Sequence, residues 1–356
     1  MSEPLVSLLI PIYNVERYLN ECLDSARFQT LEDIEIICIN DGSTDSSKDI
    51  IEEYMAQDSR FRLIDKENSG YGASMNQGLS AATGRYVGIL ESDDFFEPNS
   101  LELLYEAAEK HGAQVAKANF WFYWSAPAPK NELVELVTPS MAGRLVDPQK
   151  ETDIFYLKPS IWSALYRRDF LDEFGIRFLE TPGASYQDAG FNFKVWANAQ
   201  RVTYVCDPIL HYRQDNEASS VNSPSKVYCV CDEYEEMDRF LAEHPEKSSL
   251  KSVQEKMKYD SYMWNYERLS ESLKEEFIKR FSSEFAHDLD AGLVDLSLFE
   301  PWKKEDLALI VKNPMLFHVG RMGQSGEGAL DKIRRYLQHG GMPLLLSAIR
   351  NKLGRR

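Results

Sequence analysis

The strongest constraint on this chain is the way its first hundred residues alternate between two hydrophobic periods. Short, nearly continuous apolar runs at 6–10, 35–39, 61–65 and 86–90 read as buried strands. Between them lie stretches of helical spacing: Val15, Leu19, Cys22, Leu23 and Ala26; then Ile50, Ile51, Tyr54 and Met55 within 46–56; then 73–82. A further helix is expected after Pro98, with Asn99 and Glu102 forming a capping box and Gly112 closing it after His111. Strands and helices that alternate at this spacing form β-α-β units. The expected fold class is α/β, with a mostly parallel Rossmann-like sheet. Ligands of such sheets lie beyond the carboxyl ends of the strands.

Further along, strands are expected at 115–124 and 161–166, a Pro-containing loop at 126–148, and a helix at 189–199. Short strands at 202–205 and 209–212 precede a long helical stretch, 225–310. A Gly-rich break at 320–328 leads to a final amphipathic segment. The expected organisation is an α/β domain at 1–220, a helical C-terminal extension at 221–318, and the break with its basic tail at 319–356.

A net charge of −17 argues against non-specific nucleic-acid binding, which needs a basic footprint. The five cysteines are odd in number and show no spacing suited to zinc, so reduced cytosolic thiols are expected. The chain runs from Met-Ser-Glu-Pro straight into a strand, so no secretory signal is expected, and the aliphatic stretch 343–349 is too short to span a bilayer. The expectation is a cytoplasmic protein, soluble or peripheral at the inner face of the plasma membrane.

The strands of the first half end in polar residues. Pro11, Tyr13, Asn14 and Glu16 follow the first, Asp41-Gly42-Ser43-Thr44-Asp45 the second, and Glu91-Ser92-Asp93-Asp94 the fourth. Singly, each has a plain structural account: Asp-Gly-Ser-Thr-Asp is turn and N-cap chemistry, and Asn68-Ser69-Gly70-Tyr71-Gly72 is a turn entering a helix. Their shared end of one sheet makes them a candidate site.

Order and spacing sharpen this. The segments VSLLIPIYNVERYLNECLDS, EIICINDGSTDSS, ENSGYGASMNQGL and GRYVGILESDD, then IWSALYRRDFL, YQDAGFNFKVW and ILHYR, resemble the family-2 inverting glycosyltransferases, which share the nucleotide-binding A-type fold. The resemblance covers roughly residues 4–215. It implies a UDP-sugar donor, with Pro11, Tyr13 and Asn14 lining the base pocket and Asp41 accepting from the imide N–H of uracil. A thymine would offer the same donor; cytosine would not. Glu16, Asn68, Gly70, Asn76 and Ser92 join the nucleotide site on the same resemblance. Asp93 would coordinate Mg²⁺ or Mn²⁺, hard cations that prefer oxygen. Glu91 stands where the family usually has Asp; its extra methylene assigns it to the ribose or to a metal-bound water.

Asp188 matches the family's catalytic base, although an N-cap would also place a carboxylate there. The family's acidic pair appears here as Gln187-Asp188. His211 or Arg213 would contact phosphate or the metal, and Trp162 would border the acceptor groove, with core packing as the alternative. The acceptor would be a saccharide or lipid-linked saccharide, in cell-envelope or capsular polysaccharide synthesis. The competing reading is a catalytically inactive sugar-nucleotide-binding scaffold. A dinucleotide oxidoreductase is excluded, since no G-x-G-x-x-G follows the first strand.

Residues 331–356 hold seven basic residues and one acid, a local charge of about +6, interleaved with Ile333, Leu337, Leu344–Leu346, Ile349 and Leu353. A basic amphipathic segment on an acidic protein points to an anionic membrane surface. A solvated helix packed on the rest of the chain is the alternative.

Overall fold

The computed structural model describes residues 3–216, 227–323 and 328–354. They form two units, 1–222 with 235–240, and 223–234 with 241–356. Unit one runs β1 (Val6–Ile12), α1 (Glu16–Arg27), β2 (Ile34–Asp41), α2 (Ser47–Gln57), β3 (Phe61–Lys66), α3 (Tyr71–Ala81), β4 (Tyr86–Ile89) and β5 (Phe95–Phe96). It continues with α4 (Ser100–His111), β6 (Val115–Trp124), β7 (Lys130–Val134), β8 (Ala164–Arg167), α5 (Arg168–Glu173), α6 (Gln187–Asn198) and β9 (Val202–Arg213).

The strands join one sheet in the order β3-β2-β1-β4-β8-β6-β9-β5, with β7 beside β6. From β3 to β4 every pairing is parallel, as the alternating periodicity requires. Beyond β4 the sheet is mixed: β8 runs antiparallel to β4 and β6, β9 runs parallel to β6, and β5 runs antiparallel to β9. Every residue of β1 and β2 is buried, which is why these runs are mostly apolar rather than alternating, with Ser7 and Glu35 bonded to each other as the polar exceptions at one end.

Helix α1 buries Leu19, Cys22, Leu23 and Ala26, the side its spacing indicates. In α2 only Ile51 and Tyr54 of the expected apolar set are buried; Met55 is exposed. The expected capping box of α4 does not form. Asn99 makes no side-chain cap, and Glu102 instead accepts from the Thr30 hydroxyl at 2.7 Å. Residues 161–163 form a 3₁₀ turn before β8, the two short strands at 202–212 are the single strand β9, and β7 lies in the expected loop.

Unit two is helical: α7 (Cys229–Glu243, whose middle belongs to unit one), α8 (Lys251–Arg268), α9 (Glu271–Asp290), α10 (Pro301–Lys312), α11 (Pro314–Arg321) and α12 (Ala329–Gly354). Its core is aromatic, with Tyr259, Tyr262, Phe277, Phe281 and Phe285 packed edge to face or tilted. All five cysteines are free.

The amino-terminal end of the sheet is tied by one buried carboxylate. Glu35 of β2 accepts from the Ser7 hydroxyl at 2.6 Å, from the Thr83 N–H at 2.7 Å and from the Thr83 hydroxyl at 2.8 Å, and it pairs with Arg62. Burial alone would raise its pKa, but these donors outweigh burial and hold the carboxyl below its ordinary value. Replacing Glu35 with alanine leaves buried donors unpaired and is expected to cost about 3 kcal/mol in denaturant unfolding. The carboxylate's contribution is present at neutral pH and fades as pH falls through its depressed folded pKa. A Glu35→Ala variant with the wild-type acid stability profile would contradict this.

Candidate active site

The turns after β1 and β2 are stapled to each other. Asn14 sits in the left-handed region (φ 49°) and its side-chain oxygen accepts from the Thr44 N–H at 2.7 Å. Its own N–H donates to the Ser43 hydroxyl at 3.1 Å. Glu16 is tied to the Asp45-Ser46 turn twice: its N–H donates to Asp45 at 3.0 Å, and the Ser46 N–H donates to its carboxylate at 2.9 Å. Asn14 and Glu16 thus build the wall, while Tyr13, 53% exposed, offers an open ring beside it. Pro11 is buried inside β1.

Asp41, the last residue of β2, organises the turn after β3. Its Oδ1 accepts from Lys66 and from the Ser69 N–H at 2.8 Å, and its Oδ2 accepts from the Gly70 N–H at 3.0 Å. Asn68 is exposed in the same turn. Gly70 holds φ at 92°, and a Cβ there would stand 2.8 Å from the Thr181 carbonyl; at Gly72 it would stand 2.0 Å from the Leu179 carbonyl. Only glycine lets the turn meet the 179–183 backbone this closely. Asn76 completes the seam, exchanging bonds of 2.9 Å with the Phe178 carbonyl and N–H.

Tyr71 joins this seam to the acidic loop. Its N–H donates to the Gly183 carbonyl at 2.9 Å, its ring packs edge-on to Phe178, and its hydroxyl donates to Glu91 Oε1 at 2.6 Å. On the other side of the seam, Gln187 donates to the Thr181 hydroxyl at 2.9 Å and accepts from the Ser185 N–H. Tyr186 then takes a φ of 62°, unusual for an aromatic residue, immediately before Gln187 opens α6 with Asp188 in its first turn. The Ala189 N–H donates to Asp188 at 2.9 Å.

Arg213 anchors the acidic loop from β9. It donates to the Asp93 carbonyl at 2.8 Å and to Glu21, its N–H donates to Asp94 at 2.8 Å, and its guanidinium lies 4.6 Å from the Tyr18 ring and 5.0 Å from that of Tyr123. Asp93 accepts from the Asn216 amide at 2.8 Å. Ser92 is half-buried in the same loop.

The carboxyls crowd one another. Burial, with help from Asp93 and Asp188, pushes Glu91 up to about 8 against the opposing Tyr71 hydroxyl. Burial and Asp93 raise Asp94, whose Oδ2 is enclosed without a partner. Burial raises Asp188 to about 6, opposed by the Ala189 N–H and by Lys158. Lys158 is an exposed residue whose ammonium lies 4.7 Å from the Tyr212 ring and 5.0 Å from that of Phe122. Partial burial lowers its pKa, while Asp188 and Asp94 draw it back up.

A divalent cation suits this chemistry, since Glu91 and Asp93 offer hard oxygens in a region short of positive charge. Among the described residues no three His, Cys, Asp or Glu side chains are grouped to hold a metal. Magnesium is often held by one or two carboxylates, with phosphate and water supplying its other ligands.

Two expected residues are occupied elsewhere. Both His211 ring nitrogens are engaged, by Glu97 at 2.9 Å and Asn131 at 3.1 Å, and the ring stacks on Phe95. Trp162 is buried edge-on to Phe120 at 4.5 Å, beside Tyr212. Tyr71, Lys158 and Asp94 are the site residues that the sequence reading left without a role. Tyr71 and Asp94 lie inside quoted motifs; Lys158 has no local signal at all.

Residues 7–174 match the family model for glycosyl transferase family 2. EpsH of Bacillus subtilis is 36% identical over 219 residues, spanning 60% of this chain and 62% of EpsH, less than two thirds of its length. The glycosyltransferase GlyG of Streptococcus pneumoniae is 30% identical over 60% of this chain and 72% of its own. The fold is shared with a crystal structure of S. aureus TarS in complex with UDP-GlcNAc, at a TM-score of 0.65 and 20% identity over 90% of this chain and 93% of that one.

Because the buried guanidinium makes directed bonds and stacks on rings that an ammonium cannot reproduce, Arg213→Lys is expected to cost on the order of 2 kcal/mol. Denaturant unfolding measures this, and an unchanged midpoint would remove Arg213 as the anchor of the acidic loop.

Proposed function

The chain belongs to glycosyl transferase family 2, and we propose that it is a metal-dependent, inverting enzyme that moves a sugar from a UDP-sugar to an acceptor hydroxyl. The observation that carries this reading is Tyr71. One residue bonds both the acidic loop, through Glu91, and the backbone leading to Asp188, which sets a carboxylate at a helix start beside a cation-seeking pair. The UDP-GlcNAc in the TarS structure of the same fold supports a UDP-sugar donor.

In this reading Tyr13 offers its open ring to the base, and Asp41 Oδ2, which holds one donor among the described residues, accepts the uracil N–H. Asp93, with Glu91 acting directly or through a metal-bound water, would hold Mg²⁺ or Mn²⁺, which would neutralise the charge that builds on the departing diphosphate. Asp188 takes the proton of the acceptor hydroxyl as that oxygen bonds to the anomeric carbon. The carbon–diphosphate bond breaks with its electron pair leaving on the diphosphate, and attack from the opposite face inverts the centre. Lys158 favours the ionised form of Asp188. Asn14, Glu16, Asn76 and Gln187 position the turns. The acceptor is a saccharide or lipid-linked saccharide, and the setting is cytoplasmic assembly of envelope or capsular polysaccharide.

A thermal-shift screen of UDP-sugars with Mn²⁺ should show stabilisation by UDP and one of its sugars, with turnover or slow donor hydrolysis. Binding without any turnover would favour the inactive scaffold, and no binding would end the reading. Asp188→Asn should retain UDP binding and lose at least ~10²–10⁴-fold in transfer; near-full transfer would dismiss Asp188 as the base. Asp93→Ala should abolish the Mn²⁺ dependence of the UDP shift.

The pH profile provides a further check. A base titrating at about 6 is protonated below that pH, so kcat/KM should fall about tenfold per unit on the acid side and level off above it. Lys158→Met removes a cation that favours the carboxylate, so the acid limb should move to higher pH. A limb that stays in place would exclude this role for Lys158.

A further inference from the structure

Six of the fifteen large hydrophobic side chains that are exposed among the described residues lie on α12: Leu330, Ile333, Leu337, Met342, Leu346 and Ile349. The helix is broken at Gly341 (φ 62°, ψ −160°), and each half carries its own ordered set. Leu330, Ile333 and Leu337 follow i, i+3, i+7 spacing; Met342, Leu346 and Ile349 follow i, i+4, i+7. Such spacing puts each trio on one helix face. A different part of α12 attaches it to α11: Leu344 and Tyr336 pack with Leu316 and Val319, and Arg335 donates to the Val319 carbonyl at 2.7 Å.

Charge accompanies the stripes. Between residues 329 and 352, Lys332, Arg334, Arg335, Arg350 and Lys352 stand against Asp331 alone, a net of +4 on a chain of net −17. By helical geometry Arg350 and Lys352 fall about 80° to either side of the second stripe. Arg355 and Arg356 lie outside the described residues. Cations flanking an apolar stripe suit a helix lying in the plane of a lipid interface, where the stripe enters the acyl boundary and the long basic stems reach the headgroup phosphates.

We propose that α12 docks this protein on an anionic lipid bilayer. Stripe-to-stripe pairing with a second copy would bring +4 against +4. A nucleic-acid backbone supplies phosphate but nothing for six exposed apolar side chains. No helix among the described residues is long and apolar enough to cross a membrane, so the attachment is interfacial. This docking is independent of the sugar-transfer reading, since none of its residues belongs to the candidate active site.

Sedimentation of the full chain with vesicles tests the proposal, comparing phosphatidylcholine alone with an equal mixture of phosphatidylcholine and phosphatidylglycerol. The protein should pellet with the anionic vesicles, bind the zwitterionic ones much less, and be released by salt. Each basic residue near the surface is worth about fivefold in binding, so Arg350→Glu with Lys352→Glu should reduce it by more than about tenfold. Leu346→Ser with Ile349→Ser should also weaken binding, with an unchanged melting temperature because both side chains are exposed. Wild-type protein left in the supernatant would overturn the proposal, as would full binding by either double variant. A lipid-independent dimer, lost in Leu346→Ser with Ile349→Ser, would reassign the stripe as a contact between copies.

Discussion

The close approach of two backbones, at Gly70 and Gly72 against residues 179–183, is the constraint from which the candidate site follows. A side chain at either glycine would strike a carbonyl oxygen and force the segments apart. With the gap closed, Asn76 fastens the two sides, Gln187 ties the 181–185 segment to the start of α6, and Tyr71 is left able to reach both the Gly183 carbonyl and Glu91. The turn organised by Asp41 and the start of α6 thereby become one rigid piece, although more than a hundred residues separate them in sequence.

Rigidity there serves an electrostatic purpose. Glu91, Asp93, Asp94 and Asp188 act on one another strongly enough to raise the pKa values of Glu91 and Asp94, with burial the larger cause. Carboxyls left to themselves would separate and hydrate. Arg213 restrains the acidic loop through the Asp93 carbonyl, and Tyr71 restrains Glu91, so a region poor in positive charge persists at the end of the sheet. A divalent cation would meet that deficit, with Glu91 and Asp93 as the oxygen donors nearest to hand.

Much of the fold was legible beforehand. Buried parallel strands need mostly apolar runs, and their covering helices need a 3.6-residue stripe, so β1, β2 and β4 with α1 to α4 left clear local marks, and even the edge strand β3, only partly buried, kept Phe61, Leu63 and Ile64. Beyond β4 the marks weaken. The antiparallel pairing of β8 and the two-residue strand β5 depend on partners far along the chain, and the Asn99–Glu102 cap lost to a tertiary bond from Thr30.

The candidate site divides along the same line. The motifs at Asp41 and Glu91–Asp93 follow apolar runs and so mark the end of a sheet, while Gly70 and Asp188 were legible through the family resemblance of their motifs. Their partners are another matter. That Arg213 anchors the acidic loop while His211 is held by Glu97 and Asn131, and that Asn76 grips a backbone, are facts of distance. Local sequence determines periodicity and turn chemistry because these involve neighbours a few residues apart; which side chains meet across the sheet was decided only when packing closed the long loops between them.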